Sequence, residues 1–339
     1  MQSPIRLASC AALVACLAAH ANAEQSFTFA GPLPDAYIGH ALLASNGRIY
    51  HIGGISGTNG VIDGNRVYFA QAQADGQLGA WTEAEPLPAA VFYHASAEWN
   101  GTLYSIGGYR YADSFELSNA VYYSRIQADG RPGAWQRGAD LPKSLYLHSA
   151  AVWDGVLYVT GGWGDEGLMS GVYSGRIEPN GTIASWTPLA PLPTGVYAHT
   201  TVDDGTLYVI GGAVDNGTRV HSEVYYARIL ADRTLAAWER AAPLPEPIAN
   251  HVSEVIQGRI WVAGGWTGAN AVAAVNSSPI LADKSLGAWE AGPALPNALY
   301  QHASTVLDDS LYVSGGIDGN GNSRGEVWRL PPPPPAIQP

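Results

Sequence analysis

The chain has 339 residues, with 17 basic and 29 acidic side chains, and therefore a formal net charge of -12 at pH 7. An acidic protein of this kind repels nucleic acid and anionic membrane surfaces, so neither is an expected partner. After residue 23 no apolar run approaches the roughly 18 residues that span a bilayer, and the sequence predicts no transmembrane segment.

Residues 1–23 have the features of a secretory signal. Arg6 precedes an apolar stretch over residues 7–19, and a small-residue cleavage motif ends at Ala23. We therefore expect the mature chain to begin at Glu24, and the sequence predicts a secreted or periplasmic protein.

The same segment contains both cysteines of the chain, Cys10 and Cys16. Leu13-Val14-Ala15-Cys16 resembles a bacterial lipobox, so a lipid anchor through Cys16 is the alternative to simple secretion. If the segment is instead removed after Ala23, the mature chain has no cysteine and can form no disulfide.

The rest of the chain consists of six copies of one unit of 51 to 54 residues. Every unit begins with Leu-Pro, has a histidine seven residues after that leucine, and continues to a pair of glycines. The histidines are His40, His94, His148, His199, His251 and His302, and the glycine pairs begin at Gly53, Gly107, Gly161, Gly211, Gly264 and Gly315. This constant phase indicates six equivalent supersecondary units.

Short runs rich in Val, Tyr and Trp fill each unit and are separated by turn residues such as Asn100-Gly101 and Asp154-Gly155. These dipeptides favour tight hairpins because their residues tolerate positive φ. We therefore expect four strands per unit. Strand a follows the histidine, strand b ends at the glycine pair, strand c contains a Val-Tyr pair, and strand d contains a tryptophan.

The sixth unit lacks a strand d of its own. After Val327-Trp328 the chain enters a proline run, and residues 331–339 are expected to be extended because proline cannot pair as a strand. In the other units a tryptophan stands six residues before the next Leu-Pro, and Phe27 stands six residues before Leu33. We expect the segment around Phe27 to supply the missing strand and close the ring, which removes an open sheet edge.

The repeats resemble those of the kelch family of β-propellers, in which radial four-stranded blades surround a channel. The resemblance implies an all-β domain over residues 24–330, a six-bladed kelch β-propeller closed by an N-terminal strand. Two repeats depart from the pattern. Asn276 stands in the fifth repeat where the first four have tyrosine, and Ala237-Trp238 in the fourth repeat lacks the preceding glycine.

The d-to-a and b-to-c connections of such a blade are expected on one face of the ring, here called the rim face. The b-to-c segments vary, with thirteen steps from the second glycine to the valine of strand c in the first two units and ten in the third and fifth. The a-to-b turns are short and nearly alike. Because variation on a constant scaffold usually carries function, we place the binding site on the rim face.

The rim face combines aromatic rings with a few charges, which suits stacking on sugar rings or holding a peptide. The predicted ligand-binding residues are Arg110, Tyr111, Trp163, Glu166, Arg219 and Trp266 in the b-to-c segments, and Tyr146, Tyr197 and Tyr300 before strands a. Packing between blades is the alternative role for roughly half of the aromatic residues in this region.

Two features suggest metal binding, and both are interpreted as structural. Six equivalent histidines around an axis can bind a transition metal. In kelch blades, however, a histidine at this position often hydrogen-bonds between blades, and no carboxylate or cysteine spacing supports a metal site. The loop from Asp318 to Glu326 resembles a calcium loop except for Ser323 at its sixth position. The prediction is no metal and no cofactor, with these two places as alternatives.

The sequence predicts a recognition module for a carbohydrate or a protein, with no catalytic residue and no particular oligomeric state assigned. The alternative is a sugar mutarotase, because the chain resembles the periplasmic N-acetylneuraminate mutarotases in blade number, length and export, though not in motifs. Their reaction needs an acid, a base and an arginine for the substrate carboxylate, for which Arg110 or Arg219 with Glu166 could serve.

One structural feature would separate these functions. A carboxylate with a perturbed pKa beside an arginine in the central pocket would favour catalysis, whereas a shallow aromatic face would favour recognition. A purely structural protein would have no pocket.

Overall fold

The computed structural model describes residues 25–56, 64–111, 114–215 and 219–332. The predicted signal segment, its cleavage site and the tail from residue 333 onward lie outside the described residues. Every regular element within these ranges is a β-strand, and none of them contains a helix that could cross a membrane.

Six four-stranded antiparallel sheets form the body of the protein, one for each repeat. Strands a are Ala41–Ser45, Ala95–Trp99, Ser149–Trp153, Thr200–Asp203, Val252–Ile256 and Ala303–Leu307. Strands b are Arg48–Ile52, Thr102–Ile106, Val156–Thr160, Thr206–Ile210, Arg259–Ala263 and Ser310–Ser314. Strands c are Val67–Gln71, Val121–Arg125, Val172–Ile177, Val224–Arg228, Val275–Pro279 and Glu326–Leu330. Strands a contact one another in a closed cycle, so the sheets are blades around a channel.

The outer strands d of the first five blades are Thr82–Glu83, Gln136–Arg137, Ile183–Pro188, Glu239–Arg240 and Glu290–Ala291. The tryptophan expected inside strand d stands just before it in four blades, and only Trp186 lies within its strand. Each indole N–H donates to a backbone carbonyl of the preceding blade, whether its tryptophan stands before the strand or within it. Trp81, for example, donates to the Pro32 carbonyl at 2.7 Å.

The sixth blade takes its outer strand from the N-terminus, as the sequence predicts. Thr28–Pro32 pairs antiparallel with Glu326–Leu330, and Phe27 packs against the core formed by the fifth and sixth blades. Phe27 therefore occupies the position of the tryptophans, but its ring has no N–H to donate.

Strand b carries a second contact between blades. Tyr104 donates its hydroxyl to the Gly181 carbonyl in the c-to-d turn of the next blade at 2.8 Å, and Tyr50, Tyr158, Tyr208 and Tyr312 make the same bond. The fifth blade has Trp261 here, packed in an apolar core. The sixth blade has no c-to-d turn, because its strand d comes from the other end of the chain, and so offers no equivalent acceptor.

Short strands on the rim face pair the two connections of a blade. The pairs are Tyr37–Ile38 with Ile55–Ser56, Ala90–Phe92 with Tyr109–Tyr111, Leu145–Tyr146 with Trp163–Gly164, and Leu299–Tyr300 with Ile317–Asp318. Three further pairings lie within b-to-c segments, namely Tyr109–Tyr111 with Phe115–Leu117, Trp163–Gly164 with Gly167–Leu168, and Ala213–Val214 with Arg219–Val220. The prediction that both connections emerge on one face is confirmed.

Candidate functional site

A closed ring of backbone hydrogen bonds surrounds the channel mouth on the rim face. Its members are the residues that immediately precede the six histidines: Gly39, Tyr93, Leu147, Ala198, Asn250 and Gln301. All six have left-handed backbone, with φ from 50° to 60°. Each N–H donates to the carbonyl of the equivalent residue in the preceding blade at 2.8–3.2 Å. Left-handed φ is costly for residues other than glycine, and here the ring of bonds holds it in place.

The six histidines lie just inside this ring and are buried. Most bond to the preceding blade through Nε2: His40 contacts Ser314 Oγ at 2.9 Å, His199 contacts Thr160 Oγ1 at 2.9 Å, and His302 donates to the Ala263 carbonyl at 3.1 Å. Burial lowers their pKa values, to about 3 for His199 and about 4 for His302. The rings are therefore neutral, and their contacts agree with the structural interpretation.

The glycine pairs make room for these histidines. A Cβ on Gly315 would lie 2.5 Å from His40 Cε1 of the next blade, and one on Gly316 would lie 2.7 Å from the Cβ of His302 in its own blade. The first glycine of a pair thus faces the following histidine, and the second faces its own. This double contact explains why the two series stay in phase.

Among the described residues, no group of three or more His, Cys, Asp or Glu side chains is placed to hold a metal ion. The Asp318 carboxylate is occupied within its own loop. It accepts the N–H groups of Asn320 and Asn322 at 2.9 and 3.0 Å and pairs with Arg324 at 3.4 Å. These contacts describe a capped turn.

Aromatic pairs connect neighbouring blades around the mouth. Ring centroids are 4.4 Å apart for Tyr109 and Tyr146, 5.3 Å for Trp163 and Tyr197, and 5.3 Å for Trp266 and Tyr300. In each pair the first ring follows a glycine pair and the second precedes strand a of the next blade. The rings are half-buried, so each packs between blades and also presents an edge to solvent.

The long b-to-c segment of the second blade adds a hairpin with an exposed aromatic side chain. Phe115 is 55% exposed, and its ring lies 5.0 Å from Tyr111 and 5.7 Å from Phe92. Arg110 stands beside them and pairs with Glu116 at 2.5 Å. Arg110 and Tyr111 thus lie on one exposed hairpin strand. Asp113, in the same segment, lies outside the described residues.

The predicted charged residues are not brought together. Glu166 pairs with Lys143 at 2.6 Å, and the Lys143 ammonium lowers the pKa of this carboxyl. Arg219 lies in the fourth blade and lines a groove of about 430 Å³ with His221, Glu223 and Arg240. The mutarotase alternative needs Arg110 or Arg219 beside Glu166. Arg110 pairs with Glu116 instead, and Glu166 pairs with Lys143.

Tyr93 and Gln301 bridge the channel mouth, although neither is among the predicted ligand-binding residues. Tyr93 donates its hydroxyl to Gln301 Oε1 at 2.9 Å, and its ring lies directly over Gly39. The bond joins the second and sixth blades above the first, which is possible because Gly39 has no side chain. Burial raises the pKa of Tyr93 to about 12, so its hydroxyl remains a donor at physiological pH.

The opposite end of the channel holds a cavity of about 420 Å³ lined by strands a. Glu98 and Glu254 both line it. Burial raises the pKa of Glu254 to about 7, although Ser304 donates a hydrogen bond to it at 2.7 Å. An alignment of the repeats could have identified Glu254, because the other five have Leu43, Ala97, Ala151, Val202 and Thr305 at its position.

This cavity meets one half of the criterion for catalysis. Glu254 is a carboxylate with a perturbed pKa, but no arginine or lysine is among the described residues that line the cavity with it. The rim face, by contrast, has the aromatic surface expected of recognition.

No family model matches the chain. Its sequence is similar to β-scruin of Limulus polyphemus, with 26% identity over 234 residues that cover 68% of this chain and 25% of that protein. It is also similar to Kelch-like protein 35 of Mus musculus, with 25% identity over 257 residues that cover 73% of this chain and 42% of that protein. The chain thus spans less than half the length of these relatives.

Among solved structures, the fold is similar to that of YjhT, with a TM-score of 0.70 and 16% identity. The match covers 87% of this chain and 95% of the YjhT chain. Identity at this level carries information about the fold alone. The blade order, the ring of strands a and these similarities agree: the chain folds as a six-bladed kelch β-propeller.

Proposed function

We propose that this chain is a recognition module that binds a segment of a partner protein through the rim face. The observation that supports it best is the set of three aromatic pairs that span neighbouring blades around the mouth. Rigid, half-buried aromatic rings provide contact area at low entropic cost and are enriched at protein interfaces. The similarity to kelch-like proteins agrees with a role in protein interaction.

Charged side chains on the rim face could form a polar margin around these aromatic rings. Arg110 with Glu116 and Lys143 with Glu166 form exposed ion pairs, each of which contributes little to stability. Each charged side chain in these pairs can instead bind an opposite charge on a ligand. Charge pairs across an interface raise the association rate and the specificity more than the affinity. The predicted signal segment over residues 1–23 places this recognition outside the cytoplasm in our proposal.

A test selects peptides from a random phage-displayed library on the purified protein and measures their affinity for variants. Trp163→Ala and Trp266→Ala are expected to weaken binding at least tenfold. The matched control is Trp153→Ala, because Trp153 ends a strand a on the opposite face and is 37% exposed. Peptides that bind the rim variants normally but lose affinity for Trp153→Ala would contradict the proposal.

A carbohydrate is the second candidate ligand, because the same aromatic edges can stack on sugar rings. Thermal shifts against a panel of glycans that includes sialic acid test it, since a ligand of the native state raises the melting temperature. A shift that Trp163→Ala abolishes would favour the sugar. An anomerisation assay on that sugar then tests the mutarotase alternative.

A further inference from the structure

The channel cavity at the end remote from the histidines is polar and carries negative charge only. The residues that line it include Ser149, Thr200 and Thr305 and the acidic residues Glu98 and Glu254. Glu98 belongs to the second blade and Glu254 to the fifth, three blades away in a ring of six. They therefore approach the channel from opposite sides, and no described lining residue supplies a positive charge.

The two carboxylates differ in how far the protein satisfies them. Glu98 Oε1 accepts the Ser45 hydroxyl at 2.9 Å and the Gly101 N–H at 2.8 Å. Glu254 accepts a single bond, from Ser304 to Oε1 at 2.7 Å. A carboxylate has about four acceptor positions, so Glu254 retains unused acceptor capacity in this cavity.

A second group in the cavity also lacks a partner. Thr305 is 7% exposed and lines the cavity in the blade next to Glu254. No hydrogen bond joins its hydroxyl to a described residue, which leaves this oxygen available to a ligand in the cavity. Glu254 and Thr305 occupy equivalent positions of strand a in adjacent blades, three residues after His251 and His302.

We propose that this cavity binds a small organic cation through a primary ammonium group. An ammonium offers three N–H donors and one positive charge. The Glu254 carboxylate would balance the charge and accept hydrogen bonds, and the Thr305 hydroxyl is a further acceptor that lines the same cavity. A volume of about 420 Å³ lies within the range of small-molecule sites. A metal ion fits less well, because the described residues include no group of three side chains placed to ligate one.

The test compares putrescine with 1,4-butanediol, which has the same carbon chain without charge, on the purified protein by isothermal titration calorimetry at pH 7.5. Putrescine is expected to bind and the diol is not. Mg²⁺ serves as a third ligand. Equal binding of putrescine and the diol, or binding of Mg²⁺ alone, would overturn the proposal.

Variants locate the site. Glu254→Gln is expected to weaken putrescine binding at least tenfold and Thr305→Val several-fold, whereas Glu246→Gln, the same change at an exposed position, should leave it unchanged. Thr305→Val keeps the shape of the side chain and removes only the hydroxyl. It therefore tests whether putrescine binds in this cavity even if the Glu254→Gln protein fails to fold. Full affinity in a folded Glu254→Gln or Thr305→Val protein would refute the site.

Binding should also release protons near pH 7, because an ammonium favours the ionised form of Glu254, whose pKa burial raises. Glu98 is the only other charged group among the described side chains that line the cavity. The heat of binding is therefore expected to differ between Tris and phosphate buffers at pH 7, and this difference should become smaller at pH 8, where more of Glu254 is ionised before binding. A heat that is independent of the buffer at pH 7 would count against Glu254 as the ligand.

Discussion

The backbone N–H of Gly39 donates to the carbonyl of Gln301 at 3.2 Å, and this bond joins the first blade to the last. It completes a cycle of six equivalent bonds around the channel mouth. Above it, Tyr93 crosses to Gln301 Oε1. The first and sixth blades are thus tied at the mouth as well as through the N-terminal strand.

Gly39→Ala is expected to destabilise the protein by more than about 1 kcal/mol, because a left-handed backbone costs other residues roughly 1–2 kcal/mol. The new Cβ would also lie 2.6 Å from the Tyr93 ring. Urea unfolding measures the change. Tyr93→Ala in the same chain removes the clash between this Cβ and the ring. The double variant should therefore lose less free energy of unfolding than the two single variants together. Strict additivity would show that the ring contact is unimportant.

Trp81→Phe should lower the free energy of unfolding by about 1 kcal/mol, the usual net value of one hydrogen bond. The change removes the indole N–H that bonds to the Pro32 carbonyl of the preceding blade. Trp153→Phe is the control, because the indole N–H of Trp153 makes no hydrogen bond with described residues. Similar losses of unfolding free energy for both variants would mean that aromatic packing, and not the hydrogen bond, stabilises the contact between the first and sixth blades.

Tyr104→Phe removes the hydroxyl that donates to Gly181 of the next blade. Because Tyr104 is fully buried, the carbonyl loses its partner without gaining water, and we expect a loss of about 1–3 kcal/mol. Thermal unfolding of Tyr104→Phe and of Tyr122→Phe, whose ring is half-buried, measures the difference. A fully stable Tyr104→Phe protein would contradict the role of this contact.

The protein should unfold in mild acid. Burial lowers the pKa of His51, His94 and His251 to about 3, so below about pH 6.5 the unfolded chain binds protons that the folded chain does not. Each such histidine then costs up to about 1.4 kcal/mol per pH unit. The melting temperature is therefore expected to fall steeply between pH 7 and pH 5. A constant melting temperature over this range would show that the rings are protonated in the folded state.

Glu254 should have the opposite dependence on pH. Its pKa is raised in the folded state, so the folded chain holds the proton more tightly and stability falls as pH rises from about 4.5 to about 7. Glu254→Gln removes this loss. The variant should gain more stability relative to the parent at pH 8 than at pH 6, as measured by urea unfolding at both values. Equal differences at both pH values would show that Glu254 does not titrate as described.

The blade architecture could be predicted from sequence because each repeat carries its own turn residues, glycines and apolar alternation. The strand supplied by Phe27 and its neighbours could be predicted too, because the count of tryptophans left one position unfilled. The position of strand d was predicted less accurately: four of the five tryptophans stand just before the strand and only Trp186 lies within it.

The sequence predicted which face of the ring carries the candidate site, but not how its side chains contact one another. Repeat spacing placed Trp163 and Trp266 beside the mouth, but which rings meet is decided between blades, where Trp163 contacts Tyr197 and Trp266 contacts Tyr300. The partners of Arg110 and Glu166 likewise depended on the hairpins around them, and each pairs with an opposite charge nearby. Spacing along the chain does not contain these distances.

The sequence by itself determined six blades, their strand order and the closure by the N-terminus, because these follow from local patterns repeated in phase. Tertiary structure alone decided the hydrogen-bonded ring at the mouth, the bridge from Tyr93 to Gln301 and the confined carboxylate of Glu254. Each of these joins residues of different blades, and it exists only once the ring has closed and brought them into contact.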